Sequence, residues 1–267
     1  MIKACVMGFP AAHSLSPRLH GHWLKTYGID GVYTVREVKP EGLAGALDVL
    51  TAEGFAGCNL TIPLKEAALP LMDVLDESAQ AAGAVNTVVM KDGKKTGYNS
   101  DGFGFVESLN AQAAGWDKTH AVLYGAGGAA RGIAASLADA GVEKFTFINR
   151  NAARAEALIR DLGIEGDVAG EVPEDASLFI NCTPLGMKGQ PVFALDISAL
   201  SRGAVVCDIV YRPLVTPLLE TARARGLRIV EGLPMLLHQG RLGFCHWFGT
   251  DPAVTKELYE EMALCAR

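Results

Sequence analysis

The sequence predicts an α/β protein of two domains, each built on its own sheet. Short apolar, strand-like runs alternate with amphipathic helical segments, which is typical of parallel strands joined by crossover helices. The length of 267 residues suits two ordinary domains or one large one. Near the middle of the chain, a glycine-rich turn at 125–128 joins a strand-like run to a helical one.

The composition excludes several classes of protein. With 49% apolar and 20% charged residues, the chain can form a full core and is not disordered as a whole. A net charge of −6 without a basic block argues against nucleic acid as a partner. No apolar run reaches the roughly 18 to 20 residues that span a bilayer, and the N-terminus is predicted to be a strand rather than a signal peptide. The cysteines form no Cys-x-x-Cys pair and favour a reducing compartment. We therefore expect a cytoplasmic protein without a membrane partner, and the sequence leaves a homodimer open.

The first domain is predicted to comprise residues 1–101. Its helices are 17–27 and 41–53, and its strands are 3–7, 32–38, 57–60, 84–91 and 94–99. Ser16 followed by Pro17 is the pattern of an N-cap and a first helical residue. Asp92-Gly93 predicts a tight turn, so an antiparallel hairpin should close an otherwise mostly parallel sheet.

The second domain is predicted to span residues 102–237. Its strands are 119–124, 145–149, 178–181, 204–209 and 228–231, with helices at 129–140, around 155–162 and around 217–225. In the helix at 129–140, apolar residues recur at i, i+3, i+4 and i+7, which defines one buried face. Residues 233–265 are predicted to be helical, and we expect 238–267 to complete the first domain.

The glycine-rich turn is the strongest single indication of function. Gly125-Ala126-Gly127-Gly128-Ala129-Ala130 fits the pattern G-x-G-x-x-A directly after a strand and at the start of a helix. The first glycine makes the turn, and the second lets the backbone approach a pyrophosphate. The phosphates would lie on free N–H groups at the helix N-terminus. The alternative is a glycine turn with a purely structural role.

The end of the next strand predicts which dinucleotide is bound. An NAD site commonly has an acidic residue there for the ribose 2′-hydroxyl. This chain has Asn149 and Arg150 instead, with Arg154 one helical turn further on. Two guanidinium groups suit a 2′-phosphate, so NADP is favoured as cofactor. The alternative is that both arginines are solvated residues at the start of a helix.

Polar residues also follow a strand of the first domain. Asn59 and Thr61 alternate along extended chain and should face one way, at the carboxyl end of a strand where ligands bind in open α/β sheets. Lys65 follows on a helix-like segment. Taken alone, Lys65 is more simply interpreted as a solvated surface lysine.

Two further clusters precede helices. Asp101 follows the predicted hairpin, and Ser14 and Ser16 place two hydroxyls on the loop after the first strand. The plainer interpretation is that Asp101 and Ser16 are helix N-caps.

The motifs occur in a fixed order along the chain. They are Ser14-x-Ser16-Pro17, Asn59-x-Thr61-x-Pro63-x-Lys65, Gly83-Ala84-x-Asn86-Thr87, Asn99-x-Asp101-Gly102, the glycine turn, Asn149-Arg150, Asn181-x-Thr183-Pro184-x-Gly186-Met187, Asp208-x-x-Tyr211 and Gly232-x-x-Met235-Leu236-x-x-Gln239. Together they resemble the shikimate dehydrogenase family of aromatic amino acid biosynthesis, over about residues 4 to 249. The resemblance implies an NADP-dependent oxidoreductase that reduces 3-dehydroshikimate to shikimate. It also implies an N-terminal substrate-binding domain and a C-terminal Rossmann-type NADP-binding domain, with the active site in the cleft between them.

The resemblance further implies roles for individual residues. Lys65 and Asp101 would be the catalytic pair. Substrate would be held at its carboxylate by Ser14 and Ser16, assisted by Tyr211, and at its ring hydroxyls by Asn59, Thr61, Asn86 and Gln239. The cofactor would be held by Gly125, Ala126, Gly127, Gly128, Ala129, Asn149, Arg150, Arg154, Thr183, Gly232 and Met235.

Some positions depart from the family pattern. Ser100 stands where Thr is usual, Pro234 and Gly240 where Gly and Ala are common, and Gly21 where Asn is frequent. Ser100 keeps a hydroxyl. Pro234 lies beside residues expected at the nicotinamide end, so the expected cofactor geometry is most affected there.

The residue types suit ketone reduction. Negative charge develops on the ketone oxygen, and a nearby cation stabilises and protonates it. A lysine fixed by an aspartate can do both, and no nucleophile is needed. One alternative is a quinate/shikimate dehydrogenase with relaxed substrate and cofactor use; another is a non-catalytic NADP sensor, which would not need Lys65 and Asp101. No metal is expected, because His20 and His22 are two positions apart on a helix and point to different faces.

Overall fold

The computed structural model describes residues 1–266, which form two compact units. The first unit comprises Met1–Asp101 and Leu237–Cys265, and the second comprises Gly102–Leu236. Within residues 1–266, no helix combines the length and the apolar character needed to cross a membrane.

The first unit contains a sheet and its flanking helices. Its strands are β1 (Ile2–Gly8), β2 (Gly31–Glu37), β3 (Gly57–Leu60), β4 (Val74–Leu75), β5 (Thr87–Lys91) and β6 (Lys94–Tyr98). Its helices are α1 (Ser16–Thr26), α2 (Leu43–Ala52) and α3 (Glu77–Ala82), with 3₁₀ turns at Pro40–Gly42 and Leu69–Leu71.

The remaining strands belong to the second unit. The remaining helices belong to it or cross its boundaries near 101 and 237, except the last helix, which lies in the first unit apart from its final residue. The strands are β7 (His120–Tyr124), β8 (Lys144–Ile148), β9 (Gly166–Val168), β10 (Leu178–Asn181), β11 (Val205–Asp208) and β12 (Arg228–Val230). The helices are α4 (Asp101–Gln112), α5 (Gly128–Asp139), α6 (Ala152–Leu162), α7 (Pro217–Ala224), α8 (Gly232–Phe248) and α9 (Lys256–Ala266).

The first sheet is mixed and has the strand order β2-β1-β3-β5-β6-β4. Strand β1 is parallel to β2 and β3, whereas β5 is antiparallel to both β3 and β6. The predicted hairpin is confirmed. Asp92 and Gly93 both have positive φ, 52° and 74°, as a two-residue hairpin turn of type I′ requires. The hairpin does not close the sheet, however, because the two-residue strand β4 adds to β6.

The second sheet is entirely parallel, in the order β12-β11-β10-β7-β8-β9. Strands β7, β8 and β9 run outward to one side, and β10, β11 and β12 to the other. This is the Rossmann order, and the change of direction lies between β7 and β10, where ligands bind beyond the carboxyl ends of the strands. The predicted α/β fold class is confirmed.

Apolar side chains cover both faces of the second sheet. One cluster joins the sheet to α4, α5 and α6, and includes Phe105, Ile133 and Leu158. The other packs α7 on the opposite face around Phe179 and Leu219. Parallel strands buried on both faces are expected to be continuously apolar, and β10 and β11 are buried along their whole length.

Aromatic residues of α1 and the end of α8 pack together in the first unit. His20 and Trp23 of α1 meet Phe244 and Trp247 of α8 at ring-centroid distances of 5.3–5.8 Å. The Trp247 indole donates to the Val88 carbonyl over 3.0 Å. These contacts join the end of α8 to the first sheet.

Most predicted elements are present with shifted ends, and three short ones were not predicted. Helix α3 and the strands β4 and β9 have six residues or fewer, too few for a periodic pattern to stand out. The N-cap of α1 is Leu15 rather than Ser16, which is the first helical residue. Lys65 lies in a turn and not on a helix.

Candidate active site

Lys65 and Asp101 form an ion pair in the first unit. The Lys65 ammonium donates to Asp101 Oδ2 over 2.6 Å. The Asp101 side chain is 5% exposed and that of Lys65 is 22% exposed, so the pair is largely shielded but the amine still reaches the surface. The two residues predicted as a catalytic pair thus lie in direct contact.

Local backbone bonds place both members of this pair. The Lys65 carbonyl accepts from the Val85 N–H over 2.9 Å, which ties the turn after β3 to the segment before β5. The Asp101 N–H donates to Asn99 Oδ1 over 3.0 Å, which sets the start of α4. The Asp101 carboxylate is engaged by Lys65 and by Asn86 Nδ2, the latter over 2.9 Å. Its main contacts are therefore with side chains of the site.

Asn86 is the buried centre of this group. Its Oδ1 accepts from the Thr87 hydroxyl and from both the N–H and the hydroxyl of Ser100, at 2.9–3.2 Å. Its Nδ2 donates to Asp101 and, over 3.2 Å, to Gln239 Oε1 from α8. Both amide hydrogens are thus occupied within the unit. In this arrangement Asn86 orients Asp101 and Gln239, and a ligand would have to replace one of these contacts.

The two serines after β1 interact with each other. Ser14 Oγ accepts from the Ser16 N–H over 3.2 Å, so Ser14, and not Ser16, supports the start of α1. The Leu15 N-cap makes no side-chain hydrogen bond. The prediction that Ser16 is the helix N-cap was wrong, because the helix begins one residue earlier than the Ser-Pro pattern indicates.

Asn59 lies in β3, and Thr61 directly follows that strand. The Asn59 amide is held on one side by the Tyr33 hydroxyl over 2.6 Å and on the other by the Asn86 carbonyl and the Thr87 hydroxyl. Thr61 lies against the end of β1, where a Cβ on Gly8 would be 2.3 Å from Thr61 Cγ2. Sequence reasoning did not single out Tyr33, because nothing in its strand marks it as different from a core tyrosine.

In the second unit, the glycine turn follows β7 as predicted. Gly125 has φ +112°, and a Cβ there would lie 2.9 Å from Thr183 Cγ2. Gly127 precedes α5, makes no side-chain cap bond, and has no protein atom within 4 Å of an added Cβ. The open side of the turn therefore presents the N–H groups at the start of α5, which suits an anion such as a pyrophosphate.

The end of β8 lies beside this turn. The Gly125 N–H donates to the Ile148 carbonyl over 2.9 Å, which places Asn149 and Arg150 next to the glycines. Asn149 Nδ2 donates to the Asn151 carbonyl over 2.8 Å, and the Asn151 side chain accepts from the Arg154 N–H to cap α6. Arg150 and Arg154 are both exposed. Two exposed guanidinium groups at this position fit a ribose carrying a 2′-phosphate.

A buried hydrogen-bond network lies at the carboxyl ends of β10 and β11. Asn181 Oδ1 accepts from the Thr183 N–H and hydroxyl, and Asn181 Nδ2 donates to Asp208 Oδ1 over 3.0 Å. Asp208 also accepts from the Val210 N–H and, over 2.6 Å, from the Thr216 hydroxyl. Burial raises the pKa of Asp208 to about 6, against the opposite effect of these hydrogen bonds. Thr183 is thereby fixed beside Gly125, and neither Asn181 nor Asp208 had been assigned to the site from the sequence.

The remaining predicted site residues lie at the end of the second unit. A Cβ on Gly232 would lie 2.6 Å from the carbonyl oxygens of Ile209 and Val210, so glycine is required for this close approach. Met235 is 9% exposed and packs in the core. Tyr211 is half-buried; burial raises its pKa, and the Arg212 guanidinium lowers it by less. Tyr211 belongs to a different unit from the other residues predicted to bind substrate.

The parallel sheet, its strand order and the glycine turn define an α/β protein of the dinucleotide-binding class. Residues 6–88 match the family model of the shikimate dehydrogenase substrate binding domain. The chain is 50% identical to the NADP(+) shikimate dehydrogenase of Rhodospirillum rubrum, over 96% of this chain and 94% of that protein. The chain belongs to the shikimate dehydrogenase family.

Solved structures agree with this membership. Shikimate 5-dehydrogenase of Thermus thermophilus, in complex with NADP(H) and shikimate, matches with a TM-score of 0.89 and 39% identity over 100% of both chains. Quinate dehydrogenase of Corynebacterium glutamicum, in complex with NAD, matches with a TM-score of 0.89 and 32% identity over 98% of each chain. The family resemblance seen in the sequence is confirmed.

Proposed function

We propose that this protein catalyses the reversible NADPH-dependent reduction of 3-dehydroshikimate to shikimate in aromatic amino acid biosynthesis. The observation that carries the proposal is the Lys65–Asp101 ion pair in a chain that is 50% identical to an NADP(+) shikimate dehydrogenase. A protein that only senses NADP has no use for a shielded ammonium held against a carboxylate.

Lys65 is the proton donor in this proposal and Asp101 is its partner. Reduction develops negative charge on the ketone oxygen, which the ammonium stabilises and then protonates. Asp101 holds the amine at 2.6 Å, and Asn86 holds Asp101, so the donor is oriented before substrate binds. In the reverse direction, Lys65 accepts the proton from the substrate hydroxyl.

We assign substrate binding to the polar groups around this pair. Ser14 and Ser16 offer hydroxyls to a carboxylate, and Tyr211 is proposed to assist them. The ring hydroxyls are assigned to Asn59, Thr61, Asn86 and Gln239. The Asn86–Gln239 contact at 3.2 Å is the longer of the two bonds that Asn86 Nδ2 donates, and its acceptor is uncharged, so it is the one that a substrate hydroxyl would replace at lowest cost.

The second unit provides the cofactor site of this proposal. When bound, NADPH supplies the hydride. The N–H groups of Gly127, Gly128 and Ala129 would bind the pyrophosphate, and Gly125 and Ala126 shape the turn. Asn149, Arg150 and Arg154 would hold the 2′-phosphate. Thr183, Gly232 and Met235 are assigned to the remainder of the cofactor.

The test is turnover of shikimate by the purified protein with NADP+, followed through NADPH absorbance. We expect shikimate with NADP+ to be the preferred pair, since the end of β8 carries two exposed arginines for a 2′-phosphate and lacks the acidic residue that would favour NAD. Quinate and NAD are measured in parallel. Absence of shikimate turnover would overturn the proposal.

The second candidate is a quinate/shikimate dehydrogenase with relaxed substrate and cofactor use. The likeness to the NAD-bound quinate dehydrogenase favours keeping it. Comparable kcat/KM values for quinate and shikimate, or for NAD and NADP+, would establish it. The proposal includes a cytoplasmic location. The homodimer that the sequence leaves open is tested by light scattering.

A further inference from the structure

The Tyr33 side chain connects the second strand to the site but was not assigned a role. Tyr33 is 6% exposed. Its hydroxyl lies 2.6 Å from Asn59 Oδ1. The Ser16 hydroxyl is near enough to form a hydrogen bond that lowers the pKa of Tyr33, although burial raises that pKa far more. The phenol therefore keeps its proton and can donate it to Asn59.

The chemistry of the neighbours fixes the orientation of the Asn59 amide. The Asn59 atom that lies 3.1 Å from the Asn86 carbonyl oxygen must be the nitrogen, because a backbone carbonyl only accepts. The same nitrogen donates to the Thr87 hydroxyl over 3.0 Å. Both amide hydrogens of Asn59 are then used. The other atom is the oxygen, so the contact with Tyr33 requires the phenol to be the donor.

These bonds form one directed chain that ends at the ion pair. Thr87 receives from Asn59 and donates to Asn86 Oδ1, while Asn86 Nδ2 donates to Asp101. Asn86 cannot be reversed, because its oxygen faces the Ser100 N–H and its nitrogen faces a carboxylate. Each donor and acceptor is thus consistent from Tyr33 to Asp101.

Tyr33 is itself held in place by stacking. Its ring lies parallel to that of His20, with an interplanar angle of 2° and a centroid distance of 3.9 Å. Burial lowers the pKa of His20 to about 3, so the imidazole is neutral and packs as an aromatic ring. The rings of Trp23, Phe244 and Trp247 surround His20. The hydroxyl of Tyr33 therefore has little freedom to move away from Asn59.

We propose that Tyr33 is a positioning residue, which occupies one lone pair of the Asn59 oxygen and holds that oxygen so that its other lone pair is offered to the substrate, while the two amide hydrogens are already used. Asn59 then recognises a substrate hydroxyl that donates, and it cannot donate to the substrate. This inference rests on the proposed function, because it refines how the same site selects a ring hydroxyl. Without the phenol, the Asn59 oxygen loses the bond that fixes its direction, although the amide keeps its two other contacts.

The test is Tyr33→Phe, which keeps the ring stacked on His20 and removes only the hydroxyl. One neutral hydrogen bond corresponds to about a three- to tenfold change in an equilibrium constant. We therefore expect KM for shikimate to rise by about that factor, with kcat changed less and KM for NADP+ unchanged. The matched control is Tyr27→Phe, which removes a phenol that accepts from the Ala253 N–H over 3.0 Å in the same unit and should leave KM unchanged.

A second measurement is independent of turnover. In protein labelled at asparagine, the Asn59 side-chain amide resonances should shift in Tyr33→Phe and not in Tyr27→Phe. Unmoved resonances, or a KM for shikimate equal to that of the wild type, would overturn the role of Tyr33. A loss of melting temperature without either change would mean that Tyr33 only supports the core. If wild type fails to turn over shikimate, the proposed function falls, and the resonances alone decide the role of Tyr33.

Discussion

Asp101 is the first residue of α4, and its carboxylate also binds Lys65. Its backbone N–H is satisfied by Asn99, and its two carboxylate oxygens are satisfied by Lys65 and Asn86. A residue whose only task is capping would direct its carboxylate to the N–H groups of its own helix. The side chain instead binds a lysine that lies 36 positions earlier in the chain. This favours the catalytic role proposed for the pair.

Replacing the lysine tests its role as proton donor. We expect Lys65→Ala to lower kcat for shikimate by about a hundredfold or more, the usual scale of general acid–base catalysis. Binding of NADP+, measured by calorimetry, should persist because the cofactor residues lie in the other unit. Lys95→Ala is the control, since Lys95 pairs only loosely, at 3.7 Å, with exposed Asp48. A normal kcat in Lys65→Ala would refute the assignment.

The structure makes Asp101 the first residue of α4 and not its N-cap, and replacing this aspartate separates catalysis from a structural role at the helix start. Asp101→Asn keeps the shape of the side chain but removes the charge that holds the ammonium. We expect a loss in kcat much larger than the loss in stability, because the start of α4 is also fixed by the bond from the Asp101 N–H to Asn99. The measurements are kcat and the free energy of unfolding of the same preparation. Equal losses in both would favour a structural role.

At the scale of the element, strand order places residues that are distant in the chain side by side. The carboxyl ends of β7, β8, β10 and β11 all lie at one edge of the parallel sheet. The glycine turn, the arginines after β8 and the Asn181–Asp208 network are thereby neighbours. Each follows a different strand, and only the register between strands brings them together.

The two glycines before α5 should respond differently to alanine. Gly125→Ala places a Cβ 2.9 Å from Thr183 Cγ2 at φ +112°, so we expect a lower melting temperature and weaker binding of NADP+. Gly127→Ala meets no protein atom and has φ −88°, so the melting temperature should hold while NADP+ binding weakens. Unchanged NADP+ affinity in Gly127→Ala would mean that no phosphate approaches this turn.

We assign the choice between NADP+ and NAD to the residues that follow β8. Each charge-assisted hydrogen bond contributes about 1.5 to 3 kcal/mol, so Arg150→Ala or Arg154→Ala should weaken NADP+ roughly ten- to a hundredfold. Affinity for NAD, which has no 2′-phosphate, should stay nearly constant. Both are measured at one ionic strength, because phosphate contacts are screened by salt. A parallel loss for both cofactors would contradict the assignment.

At the scale of the whole molecule, each unit has its own apolar core and buries polar groups at the ends of its strands. Asp208 is 2% exposed and accepts hydrogen bonds from three donors. Its pKa is nevertheless raised, which means that burial destabilises the charged carboxylate by more than these bonds stabilise it. A buried carboxylate of this kind couples folding to pH. The second unit therefore carries an intrinsic pH dependence of stability.

Asp208 sets the sign of that dependence. A carboxyl group whose pKa rises on folding from 3.8 to about 6 stabilises the folded state below about pH 4, and this contribution is lost as pH rises through 6. The full change is on the order of 3 kcal/mol. Asp208→Asn does not titrate and can keep the bonds from Asn181 and Val210. The free energy of unfolding of wild type, minus that of Asp208→Asn, should therefore fall from pH 4 to 7 in denaturant titrations. A difference that is constant or rises with pH would contradict the expectation.

The sequence by itself determined the features that depend on residues close together in the chain. The alternation of strands and helices, the Asp92-Gly93 hairpin and the glycine turn before α5 follow from local periodicity and from backbone conformations that glycine favours. The short elements α3, β4 and β9 escaped prediction because so few residues carry no readable period. The motif set also identified the family, while the individual roles of the site residues stay predictions.

Only the tertiary structure decided how the polar side chains share their hydrogen bonds. Four separate parts of the chain supply Tyr33, Asn59, Asn86 and Asp101. No local pattern shows that the hydrogen bonds of the Asn86 amide are all used while the Asn59 oxygen keeps a lone pair for a ligand. The same holds for Asp208, whose pKa depends on burial by strands far away in sequence. Hydrogen-bond satisfaction and desolvation depend on which groups surround an atom in three dimensions. Those groups come together only once the sheet has assembled.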